Sequence, residues 1–153
     1  VPPGTAIVRV LEGGENDWRA IIRTAQTLPN ETSTLDIELP IERGGVLCQV
    51  ETPDGYAPFL QGVLWGAFEM STFDAETLHR IAAFKVAEPP CSTDGLMHVT
   101  GLEPGTYTLF VVVSKTHGHD EGGEQALMES ARIAASVVQV VENQDTSVQL
   151  AVR

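Results

Sequence analysis

Basic residues are scarce in this sequence. Lys and Arg number 9 against 21 Asp and Glu, for a formal net charge of -12 and a pI near 4.5. A surface this acidic repels phosphate backbones and anionic headgroups, so nucleic acid is excluded as a natural partner. Only Lys85 and Lys115 are lysines. Cysteine is almost absent: Cys48 and Cys91 stand far apart with no Cys-x-x-Cys spacing, so no zinc ribbon or finger is encoded. They read as two small apolar side chains with free thiols, or as one disulfide of an exported protein. No apolar run approaches the ~20 residues of a membrane span, so no membrane insertion is expected. Val1-Pro2-Pro3-Gly4 lacks a basic then apolar leader. That opening reads as a start inside a longer protein and leaves localisation open.

Catalytic signatures are missing as well. No Gly-x-Ser-x-Gly elbow is present. Gly13-Gly14 and Gly122-Gly123 lack the Lys-Ser/Thr that completes a phosphate loop. The acidic turns lack the spaced Asp ligands of a calcium hand.

What is present is short alternating strands separated by turns. The chain is organised around Thr93–Val113 (TDGLMHVTGLEPGTYTLFVVV), a strand, a Pro-Gly turn and a more apolar strand. Before it, strands are expected at Thr5–Val10, Ser33–Leu39, Gly45–Glu51, Gln61–Met70 and His79–Val86, and at Trp18–Gln26, where β-branched Ile21 and Ile22 favour a strand over a short, weakly capped helix, with one helical turn around Asp74–Leu78. After it, strands are expected at Ala131–Val141 and Ser147–Val152. Such spacing predicts an all-β sandwich or barrel, because a parallel α/β sheet would need helical crossovers that the sequence lacks.

Two stretches resemble one another. TLPNETSTLDIEL (Thr27–Leu39) aligns with VVENQDTSVQLAV (Val140–Val152), Asn30 falling on Asn143 and Leu35, Ile37 and Leu39 on Val148, Leu150 and Val152. Either any two hairpins share such a pattern, or residues 1–43 hold the closing hairpin of a preceding repeat and residues 44–153 form the unit proper. The N-terminal segment would then add a hairpin to the sheet or stay partly detached.

Gly45-Val46, Pro53-Asp54-Gly55, Thr93-Asp94-Gly95-Leu96 and Gly101-Leu-Glu-Pro-Gly-Thr-Tyr-Thr-Leu109 occur in a familiar order. Over about Gly44–Arg153 the chain resembles the carboxypeptidase regulatory-like domain, a transthyretin-like or prealbumin-like sandwich related to the Cna-B modules. The resemblance implies an antiparallel, Ig-like β-sandwich of about seven strands with an N-terminal β extension. It implies no catalytic machinery and no cofactor. It also implies a structural or interaction role in an exported multidomain protein, whether secreted, periplasmic or at the cell surface. Partners would be neighbouring domains of the same protein, another protein or a glycan. Related pilin modules carry Lys-Asn isopeptides, which Lys85 and Lys115 are badly placed to form. The chain departs from the pattern in the longer segments YAPFLQGVLWG and KTHGHDEGGEQALMES.

Those departures hold the candidate sites. Exposed aromatics stack on sugar rings, so Tyr56, Phe59 and Trp65 are candidate ligand-binding residues, against the plainer reading that Trp65 and Phe68 fill the core. His117, His119, Asp120 and Glu121 could converge on a divalent metal, against the plainer reading of a solvated polar loop.

Overall fold

The structure, a computed structural model, describes residues 4–14, 18–27, 29–30, 32, 34–39, 41–115 and 129–153. Among them the elements run β1 (Thr5–Gly13), β2 (Trp18–Gln26), β3 (Gly44–Glu51), β4 (Tyr56–Trp65), α1 (Ala75–Phe84), β5 (Lys85–Ala87), β6 (Leu96–Leu102), β7 (Gly105–Lys115), β8 (Arg132–Val140) and β9 (Asp145–Ala151). The protein is therefore mostly β. Three sheets form, in the orders β1-β2, β6-β3-β9 and β5-β4-β7-β8.

Strand β7 sets the layout. Its run Tyr107–Ser114 is buried at every residue, on both faces. Tyr107, Leu109, Val111 and Val113 point to one side, into a core shared with Val46, Cys48 and Val50 of β3, Met97 and Val99 of β6, and Leu150 of β9. Phe110 and Val112 point to the other side, where Ile81 of α1 and Met70 cover them. A strand buried on both faces needs no polar alternation, which is why this one reads as a continuous apolar run. The fully buried Thr108 hydroxyl is satisfied: it donates to the Gly66 carbonyl at 2.8 Å and accepts from the Phe68 amide at 2.9 Å. The turn before β7 is braced by Tyr107, whose hydroxyl donates to the Glu103 carbonyl. Burial and the nearby Glu103 raise the Tyr107 phenol above its ordinary value, so it stays a donor.

Four expectations are corrected. His79–Val86, expected as a strand, is mostly helix, with only Lys85–Ala87 in β5. The Asp74 carboxylate caps it by accepting the Thr77 amide at 2.9 Å, and Glu76 pairs with Arg80 one turn on. Thr77 and Ile81 lie four apart and are the residues the helix buries, a spacing that fits a helix better than a strand.

Strand β4 begins at Tyr56 and ends at Trp65, not Met70, because Gly66 turns the chain at φ 106. Residues 34–39 lie in no strand. Finally, not every pairing is antiparallel: β9 runs parallel to β3 from Gly45↔Asp145 to Glu51↔Ala151.

The β1-β2 hairpin is a sheet of its own and is docked on the main core. Ala20 and Ile22 are buried there, and Ile7 and Trp18 pack beside them. Arg23 holds Glu103 through two hydrogen bonds of 3.0 and 2.7 Å, Arg43 holds Glu12 at 3.0 Å, and Arg9 donates to the Ala82 carbonyl at the end of α1. The segment is thus fastened to the sheets by packing and by charge.

Candidate functional site

Strand β4 is paired along its whole length with β7 on one side. On the other side β5 reaches only Val63 and Leu64. From Tyr56 to Gln61 its outer edge therefore has no strand neighbour among the described residues. Pro58 fits such a place, since an edge strand tolerates a residue with no N–H to donate. Between Pro58 and Leu60 the register slips by one, leaving Phe59 as the extra residue of a bulge. Phe59 is 37% exposed and leans on Phe73 at 5.9 Å between ring centroids.

This bare edge forms one wall of a groove of about 530 Å³. Tyr56, Pro58, Phe59 and Gln61 line that side, and Pro90 and Cys91 line the other. The described residues that line it are uncharged. Among them an anionic ligand finds no cation, whereas an extended backbone or a neutral polar ligand finds apolar surface and edge groups to bond. Arg132 of β8 lies over the Tyr56 ring, its guanidinium carbon 4.5 Å from the centroid, so one face of that ring is occupied.

The structure thus brings Tyr56 and Phe59 into one groove and leaves Trp65 out. Trp65 stands at the far end of β4, opposite Tyr107 and partly buried against the main core. Nine residue steps along a strand carry it about 30 Å away. His117, His119, Asp120 and Glu121 lie outside the described residues. Among the described residues no group of three metal-ligating side chains converges. No helix among them is long and apolar enough to cross a membrane.

The Pro90–Cys91 wall was not visible from sequence, where Glu88-Pro89-Pro90 reads simply as a break. Cys91 packs against the core that contains Cys48, and both thiols are free. Burial, and secondarily its neighbour Cys91, push the Cys48 thiol up to about 11, and burial raises Cys91 as well. Neither is an activated nucleophile.

A second polar feature lies on the outer face of the three-stranded sheet. The His98 ring Nε2 approaches Asp145 Oδ2 at 2.9 Å across Gly45. A Cβ on Gly45 would fall 2.2 Å from Asp145 Oδ1, so only glycine leaves the carboxylate this place. Both partners are about half exposed, and the pair is a surface contact between β6 and β9.

No protein family, curated protein or solved structure matches the chain.

Proposed function

We propose that this chain is a non-catalytic β-sandwich module with an interaction role in an exported multidomain protein, of the prealbumin-like, carboxypeptidase regulatory-like kind. Two sheets that share one core, and a Tyr107 hydroxyl bracing the Leu-x-Pro-Gly-x-Tyr turn, support the sandwich reading. The exported setting follows from the resemblance and stands with it.

One observation carries the interaction role: the edge of β4 over Tyr56–Gln61, without a strand neighbour among the described residues and beside a groove whose described lining is uncharged, with Phe59 on its rim. An exposed strand edge is a template for another strand and is normally blunted or covered. A bare edge beside apolar pockets suits an extended peptide, which gains main-chain hydrogen bonds from the edge and selectivity from the groove. A sugar platform is favoured less, because one face of Tyr56 is taken by Arg132 and Trp65 is remote.

Panning a displayed peptide library on the protein and on a Phe59→Asp variant tests this. Enrichment of extended, β-branched sequences on the parent protein and their loss on the variant is expected. No enrichment, together with glycan-array binding that Phe59→Asp removes, would replace the peptide by a carbohydrate.

A further inference from the structure

Between the N-terminal hairpin and β3 lies a segment with the sequence of a strand and, among the described residues, no strand paired with it. Residues 34–39 read TLDIEL, with Leu35, Ile37 and Leu39 on one side of an extended chain. Leu35 is 40% exposed and Leu39 52%. An unpaired alternating strand with an open apolar face is a feature that folded proteins normally cover.

The last strand of the chain indicates what is lacking. Asn30 and Asn143, aligned by the internal repeat, are the non-glycine residues with positive φ among those described, at 61 and 58. Before each comes a nine-residue strand that closes an antiparallel pair. Trp18–Gln26 lies on Thr5–Gly13, and Arg132–Val140 lies on Gly105–Val113, both in unbroken register. After Asn143 the chain enters β9, parallel to β3, and buries Leu150 and Val152 at 3% and 5% exposure. Their counterparts after Asn30 are Ile37 and Leu39. The first copy therefore repeats the antiparallel pair and the left-handed asparagine turn, and lacks the strands that flank them in the second, among them the one that receives the third strand.

We infer that residues 34–39 are the closing strand of a neighbouring unit of the same fold, lying N-terminal in the same polypeptide. They would be added in parallel to that unit's first strand as β9 is added to β3. The receiving strand cannot be this unit's own β3, whose two sides are held by β6 and β9. The partner presents an open parallel edge and an apolar inner face for Leu35, Ile37 and Leu39, while Asp36 and Glu38 face solvent. Because the hairpin is already fastened here through Arg23–Glu103 and Arg43–Glu12, the two units would share one rigid joint. This inference rests on the sandwich reading and is independent of the groove.

Hydrogen–deuterium exchange of amides 35–39 tests it, read in this chain alone and in the whole gene product. Exchange within seconds is expected in this chain. Slowing by 100-fold or more is expected in the gene product, abolished there by Leu35→Asp with Leu39→Asp. The same double substitution should leave the melting of residues 44–153 unchanged. Fast exchange in both would overturn the inference, and so would a gene product with no such unit. Protection already present in this chain would also overturn it: if it rises with concentration the strand pairs with a second copy, and if it does not the strand pairs within its own chain. Peptide binding at the Phe59 groove is unaffected by any of these outcomes, so the two readings fail separately.

Discussion

Arg23 on the hairpin and Glu103 at the entry to β7 are joined by two parallel hydrogen bonds, guanidinium to carboxylate, at 3.0 and 2.7 Å. The pair is about a quarter to a third exposed. Bidentate charge-assisted contacts are the stronger kind, and solvent screening reduces this one. Glu103→Ala is expected to lower stability by about 1 kcal/mol in urea unfolding. A double-mutant cycle with Arg23→Ala should return a coupling of about 0.5–1 kcal/mol. A coupling near zero would mean that this pair adds nothing to the hold of packing and of the Arg43–Glu12 and Arg9–Ala82 contacts.

The Cys48 thiol gives an alkaline limit to stability. Its folded value, about 11, exceeds the ordinary 9.0 because burial disfavours the thiolate. Its contribution is complete below about pH 9 and is lost as pH rises toward 11, where the unfolded thiol has already released its proton. Two units correspond to roughly 2–3 kcal/mol. The slope of unfolding free energy between pH 9 and 11 should flatten in Cys48→Ala relative to the parent. In the native protein Cys91, at the groove wall, should alkylate faster than Cys48, which should react only at the rate of unfolding. Absence of both thiols under denaturing, non-reducing conditions would refute the free pair.

Gly44 sits where the chain passes from β8 to β9 across the end of β3. A Cβ there would lie 2.1 Å from the Val141 carbonyl oxygen and 2.8 Å from Val140 Cγ1. Backbone must move to admit it, so Gly44→Ala is expected to cost about 1–3 kcal/mol. For a chain of this size the melting temperature should fall by about 3–10 °C. An unchanged melting temperature would show that the crossing has room to relax.

Asp74 caps α1, and the Thr77 amide holds its carboxylate below the ordinary value. Its support is present at neutral pH and is lost as pH falls through that lowered value. In Asp74→Ala the Thr77 amide should exchange faster at pH 7, and the difference from the parent should shrink in acid. Equal rates at pH 7 would remove Asp74 from the role.

Local pattern carried much of the fold. Strand pattern placed β1, β3, β6, β8 and β9 to within a few residues, the β-branched Ile21 and Ile22 favoured a strand at β2, and the Pro104-Gly105 turn marked the start of β7. The first turn of the helix was expected at Asp74–Leu78, and its continuation to Phe84 was missed because HRIAAFKV has β-branched and aromatic residues in a short apolar stretch, which suits either state. The informative signal was upstream, in Asp74 followed three residues later by Thr77. Residues 34–39 had strand sequence without a strand, since pairing needs an edge that no local pattern reveals. The parallel match of β9 to β3 is likewise a property of two distant segments. Of the groove, Tyr56 and Phe59 were legible as aromatics near a turn. Pro58 inside an otherwise apolar strand was the available sign of a bare edge. The opposite wall, Pro90 and Cys91, comes from the far side of α1, and only the fold brings it there.

The parallel placement of β9 beside β3 has a mechanical consequence. The leading end of β3 and the trailing end of β9 lie at opposite ends of the same ladder. Tension between residue 44 and residue 153 would pull these strands past one another lengthwise. The bonds from Gly45↔Asp145 to Glu51↔Ala151 would then bear the load together in shear, where an antiparallel terminal pair pulled from one end would unzip bond by bond. The strand that closes the core is thus also a clamp against tension applied between residues 44 and 153.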